Sequence, residues 1–117
     1  MRALLALLPL AALMLAGLPA SPAEVTIADL VAHPDAYDGA SVTVVGTVER
    51  PLPVGTESGY ELRDGRTKIA VISRTNAPRV GDRLRVTGTV RHFTEGDEPE
   101  ANQYPPVLVE SARQPVP

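Results

Sequence analysis

The sequence predicts an all-β domain, a five-stranded Greek-key barrel with a short N-terminal helix, set behind a signal peptide. Three observations carry that expectation. The runs Ser41 to Val48 and Leu84 to Val90 alternate apolar and polar residues, and each has a glycine on its apolar side. Between them, Asp64-Gly65 joins two shorter alternating runs as a hairpin. At 117 residues there is room for one domain only.

The chain opens with a positive start, Met1-Arg2, an apolar run from Ala3 to Gly17, and small residues up to Ala23. That is the three-part layout of a secretory signal, with Ser21 and Ala23 at the −3 and −1 positions of a cleavage site. A membrane span takes about 20 apolar residues, and Pro9 and Pro19 interrupt a shorter run. Residues 1–23 are therefore expected to be signal peptide, residues 24–113 the domain, and residues 114–117 a loose tail. A periplasmic or secreted location follows. The sequence has no cysteine, so neither a disulfide nor lipid attachment through Cys is available.

Thr26 to Ala32 reads as a short helix. Thr26 caps it, Asp29 places a carboxylate in its first turn, and Ile27, Leu30 and Val31 form one apolar face. Pro34 limits it and Asp38-Gly39 turns the chain. The first strand is Ser41 to Val48, with Val42, Val44, Gly46 and Val48 inward; a glycine on that side marks a bend or a close backbone approach. Pro51-Leu-Pro-Val-Gly55 reads as a stiff apolar loop. Tyr60 to Arg63 and Arg66 to Ile72 form the hairpin around Asp64-Gly65, a pair suited to positive φ at two central positions. Arg74 to Asp82 is too short and broken for a substantial helix. Leu84-Arg-Val86-Thr-Gly88-Thr-Val90 repeats the first strand position for position, and Val107 to Ser111 closes the set. Closure hides strand edges that an open sheet of this size would expose.

These residues resemble an OB-fold. The pattern is Ile27-Ala-Asp-Leu30, Tyr37-Asp-Gly39, Val42-x-Val-x-Gly46-x-Val48, Tyr60-x-Leu-x-Asp-Gly65, Ile69-x-Val71, Val80-Gly-Asp82 and Val86-x-Gly88-x-Val90. It resembles exported bacterial OB-fold proteins and, more distantly, nucleic-acid-binding OB domains and the periplasmic haem chaperone of cytochrome c maturation. OB-folds often plug one barrel end with a helix between the third and fourth strands. Here that connection leaves no room, so the helix at Thr26–Ala32 is expected to serve instead, with Ile27, Leu30 and Val31 as the plug. The haem chaperone implies a His four residues before a Tyr; Tyr104 has Glu100 there, so that chemistry does not transfer.

Charge is unevenly spread over a net −3. Residues 24–40 carry four acids and no base, residues 41–93 nine bases and five acids, and residues 94–104 four acids and no base. Arg63, Lys68, Arg83, Arg85 and Arg91 sit on outward strand positions, which suits an anionic ligand. Arg63, Lys68, Arg85 and Arg91, with Tyr104 as a stacking aromatic, are the candidate ligand-binding residues. The mature domain has only four aromatics, Tyr37, Tyr60, Phe93 and Tyr104, and Glu95–Glu100 would repel phosphates. Those points and an exported location disfavour nucleic acid.

Catalysis and metal binding find no apparatus. Ser58 lies in Glu57-Ser-Gly59 rather than in a nucleophile elbow. His33 and His92 stand alone, and the acidic loop lacks the spacing of a calcium loop. The expectation is a non-catalytic periplasmic or secreted binding module without cofactor, a monomer or weak oligomer. Its expected role is accessory, on an envelope protein partner or a small anionic ligand; the alternative is oligonucleotide or anionic-ligand binding through the Arg-rich face.

Overall fold

The computed structural model describes residues 22–54, 57–93 and 105–117, and the side chains of all of these except Val54 and Glu57. The expected signal residues up to 21, the acidic loop and Tyr104 lie outside the described residues.

Among the described residues, six strands and two short helices follow one another as β1 (Ala23–Glu24), α1 (Ile27–Ala32), α2 (Pro34–Tyr37), β2 (Ser41–Val54), β3 (Glu57–Asp64), β4 (Thr67–Ser73), β5 (Arg83–Arg91) and β6 (Val107–Pro115). The sheet runs β1-β2-β3-β4-β6-β5, and β5 returns to pair with β2, closing a five-stranded barrel. β2 bridges the closure. Its first half pairs with β5 from Ser41↔Thr89 to Thr47↔Arg83, its second half with β3 from Thr47↔Arg63 to Val54↔Glu57. β4 and β6 are parallel neighbours; the other barrel pairs are antiparallel.

Inward positions fill the interior at period two, as a half-buried strand requires. Val42, Val44, Val48, Tyr60, Leu62, Ile69, Val71, Leu84, Val86, Val90 and Leu108 are buried. The two expected inward glycines are where the sheet closes most tightly. A Cβ on Gly46 would lie 2.8 Å from Leu62 Cγ, and one on Gly88 only 2.3 Å from the Val109 carbonyl oxygen.

Several expectations are corrected. β2 continues through Pro51-Leu-Pro-Val instead of ending at Val48, with a bulge between Val48 and Arg50. Past Thr47 it has β3 on one side and, among the described residues, no strand on the other, and an edge tolerates proline. The hairpin turns on Gly65-Arg66, because Asp64 pairs with Thr67 and only Gly65 has positive φ (+62). That is glycine at the first central position, as a type II′ turn needs. The tail is not loose: β6 includes Gln114 and Pro115, and the Val116 N–H bonds Arg83 O at 2.9 Å. β1, absent from the sequence reading, spans the expected cleavage point and pairs in parallel with Val42 and Thr43.

α1 forms as expected, with the Asp29 N–H bonding Thr26 Oγ1 at 3.0 Å. Ile27 and Leu30 are fully buried on the barrel, but Val31 is 37% exposed, so the plug has two residues rather than three. α2 is an unexpected extra turn with Pro34 in its first turn. The two helices sit where β2 begins and β5 finishes: the Gly39 N–H bonds Val90 O at 2.8 Å, and the Val90 N–H bonds Ala40 O at 2.9 Å. The 74–82 connection crosses elsewhere, where β3 begins and β4 ends. A polar cluster serves there in place of a helix.

Candidate functional site

That cluster is built on a bulge. Gly88 pairs with Glu110 and Thr87 with Ala112, so Ser111 is an extra residue in β6. Strict alternation would put Glu110 and Arg113 on opposite sides; the extra residue turns both inward. The Glu110 side chain is only 6% exposed. It accepts from the Tyr60 hydroxyl and from Ser73 Oγ (3.0 Å), and lies 3.5 Å from the Arg113 guanidinium. Arg113 also donates to Asn76 O and stands 5.9 Å over the Tyr60 ring. Burial first, then the Glu110 carboxylate, hold the Tyr60 hydroxyl well above its ordinary value, so it keeps its proton and donates. Each of these side chains has a protein partner, although the buried Arg113 Nη1 meets Glu110 only as an ion pair and makes no hydrogen bond among the described residues. The cluster is a clasp holding β6 and the 74–82 connection to β3.

Among the sequence-predicted site residues, Arg63 and Lys68 are brought side by side as a cross-strand pair on the outer face of β3 and β4. Both are already occupied. Glu49 lies 3.3 Å from each, Glu61 lies 3.8 Å from Lys68, and Arg50 lies 3.3 Å from Glu61. Arg85 and Arg91 are not part of this group. They belong to the outer row of β5: Arg83, Arg85, Thr87, Thr89 and Arg91. Arg85 has a loose contact of 3.7 Å with Glu24; Arg83 and Arg91 have no carboxylate in ion-pair range among the described residues. At i and i+2, Arg83 and Arg85 project about 7 Å apart, and the row from Arg83 to Arg91 spans about 26 Å.

Beyond Arg91 the chain presents an aromatic that is not among the candidate residues named from the sequence. His92 turns inward, its backbone N–H bonding Asp38 at 3.0 Å and its Nδ1 lying 2.7 Å from Asp35 Oδ1. Phe93, the next residue, is 59% exposed. The signal in sequence was the alternation itself, since a buried residue 92 sends residue 93 outward.

Two depressions adjoin the β5 row. One, of about 240 Å³, is lined by Glu24, Val25, Thr26, Asp29, Val45 and Asp64, and its three carboxylates repel anions. The other, of about 120 Å³, is lined by Thr43, Arg85, Thr87, Ala112, Arg113 and Gln114. Among the described residues no group of three or more His, Cys, Asp or Glu is placed to hold a metal ion, and no helix is long and apolar enough to cross a membrane.

Comparison with known protein families finds no match, and neither does comparison with curated proteins. Solved structures do match. A putative aspartyl-tRNA synthetase from Leishmania major Friedlin is 13% identical with a TM-score of 0.60, over 86% of this chain and 22% of that one. A chain of a replication protein A heterotrimer bound to ssDNA is 25% identical with a TM-score of 0.50, over 67% of this chain and 57% of that one. The telomere capping protein Ten1 from Saccharomyces pombe is 14% identical with a TM-score of 0.53, over 81% of each chain. The barrel is an OB-fold. This chain spans about a fifth of the synthetase it matches, so the likeness is to one part of that protein.

Proposed function

We propose that this OB-fold is a non-catalytic module that binds single-stranded nucleic acid on the outer face of β5. The observation that carries the reading is the outward arginine row Arg83, Arg85 and Arg91, whose one ion pair among the described residues is the loose, exposed 3.7 Å contact of Arg85 with Glu24, leading to the exposed Phe93. Backbone affinity comes from cations that displace counterions, and sequence-tolerant hold from an aromatic on which a base stacks. The row offers the first and Phe93 the second. Likeness to a replication protein A heterotrimer bound to ssDNA supports this ligand class over the envelope-partner role expected from sequence.

The test is a titration of a fluorescent single-stranded oligonucleotide, repeated across salt concentrations. Each phosphate neutralised on a single strand contributes about 0.7 to the log–log salt slope, so three arginines predict a slope of about −2. Phe93→Ala is expected to weaken binding by about 1–3 kcal/mol without changing that slope. Absence of salt-dependent binding at low ionic strength overturns the reading.

A further inference from the structure

We propose that the depression between β2, β5 and β6 is a phosphate site, seated on Thr43, Arg85, Thr87 and Gln114. The proposal deepens the nucleic-acid reading by naming where a single phosphoryl group is gripped, as distinct from the open arginine row around it.

The register brings these residues together. On the outer face of the sheet, β5 places Thr87 opposite Thr43 of β2 and opposite Ala112 of β6; one step along, Arg85 stands opposite Gln114. The Ser111 bulge matters here too, because it returns Ala112 and Gln114 to the outer side after Glu110 has pointed in. Ala112, a small side chain between larger ones, leaves the hollow of about 120 Å³.

The lining suits an oxyanion. Thr43 Oγ1 and Thr87 Oγ1 lie 2.9 Å apart and form one hydrogen bond. One hydroxyl donates to the other, and the second hydroxyl keeps a proton to give away. Arg85 is half exposed and contributes a planar fork of donors. Gln114 adds an amide whose N–H₂ donates. Arg113, also in the lining, is committed to Glu110 and Asn76. No carboxylate lines the hollow. Glu24 competes for Arg85 at 3.7 Å and is largely exposed, a pair that an incoming phosphate displaces at small cost.

The test has two arms on the same protein. In the first, inorganic phosphate is titrated against chloride at constant ionic strength while backbone amide resonances are followed. Saturable shifts confined to Thr43, Thr87 and Gln114 are expected, lost in Arg85→Gln and in Thr87→Val, and tightened about threefold in Glu24→Gln. Shifts that do not saturate, or that fall equally on Arg83 and Arg91, overturn the site. Thr87→Val keeps the shape of a β-branched strand residue; thermal unfolding of both variants separates lost binding from lost fold. In the second arm, the oligonucleotide is titrated against the same variants, with a loss of about tenfold expected for Arg85→Gln. Oligonucleotide binding that falls with Arg85→Gln but ignores Thr87→Val overturns the phosphate site and leaves the proposed function standing. Saturable phosphate without oligonucleotide binding does the reverse, and assigns the hollow to a free phosphate or phosphomonoester.

Discussion

On the β3–β4 side of the barrel, Arg50, Arg63 and Lys68 stand among Glu49 and Glu61; on the β5 side, Arg83, Arg85 and Arg91 stand among threonines. Each face presents three cations, yet only the second leaves them available to a ligand. Side chains at outward positions of a strand meet those of the neighbouring strands. β3, with β4 on its far side, lies beside the stretch of β2 that carries Glu49, whereas β5 lies beside the stretch carrying Ser41, Thr43, Val45 and Thr47. A count of outward arginines cannot distinguish the faces; the register of β2 does. The same rule runs inward, where Arg113 is tied to Glu110 and contributes to the fold rather than to a surface.

The largest effect is expected where pairing is deepest. Glu110→Ala leaves Arg113 without its carboxylate and Tyr60 and Ser73 without their acceptor. Breaking one partner out of a buried pair costs about 3–5 kcal/mol, measurable as a lower urea midpoint. If the variant is as stable as the parent, the clasp does not hold β6.

Next comes the β5 row. Replacing Arg83, Arg85 and Arg91 together by Ala is expected to lower single-strand affinity about a hundredfold at low salt and to flatten the salt slope towards zero. Stability should move by less than about 0.5 kcal/mol, the usual range for surface positions with no special role. Titration and unfolding on the same preparation check both halves.

A pH scan separates the clasp from the outer faces. Tyr60 keeps its proton in the folded chain at pH values where the unfolded chain has lost it. The unfolded state therefore binds fewer protons, and stability falls as pH rises. The contribution is complete below about pH 10, the ordinary tyrosine value, and declines above it by up to about 1.4 kcal/mol per pH unit. Urea midpoints between pH 9 and 11.5 should show that decline, and Tyr60→Phe should remove it.

Much of the barrel was legible because its signals are local. The valine alternation of β2 and β5, the two inward glycines, the Thr26 cap and the existence of a hairpin near Asp64-Gly65, though its turn falls on Gly65-Arg66, each need only neighbours along the chain. What escaped depends on pairing across it. Nothing near Pro51 or Pro53 says that β5 stops at Thr47 and leaves an edge. Nothing near Ser111 announces a bulge, so strict alternation along the sequence leaves Glu110 and Arg113 on opposite sides of the strand. The candidate site divided in the same way. Arg63, Lys68, Arg85 and Arg91 do point outward, but which have carboxylate neighbours is a property of strand order. Phe93 was within reach, since alternation through His92 already sends it to the surface.

Exchanging the acids sharpens the comparison from the other side. Glu49→Gln with Glu61→Gln removes both carboxylates from the β3–β4 face while keeping their shape. Arg50, Arg63 and Lys68 then have no acid partner among the described residues. Single-strand affinity at low salt is expected to rise about tenfold, with a steeper salt slope as the second face joins in. An unchanged slope would mean that carboxylate pairing is not what silences this face.

The smallest effect is expected from Arg63→Ala with Lys68→Ala. Both side chains are partly exposed, and ion pairs in such settings contribute about 0–1 kcal/mol, because solvent screens them and ordering two long side chains has an entropic cost. Stability should therefore fall by no more than about 1 kcal/mol. Oligonucleotide affinity should drop less than about threefold, since these cations are already satisfied by Glu49 and Glu61 and add little to the field a phosphate meets at β5. A loss of affinity as large as that of the β5 triple variant would move the binding surface to β3 and β4. It would also mean that an approaching strand outcompetes Glu49 for Arg63 and Lys68, so that pairing seen within one face would no longer predict whether that face is open to a ligand.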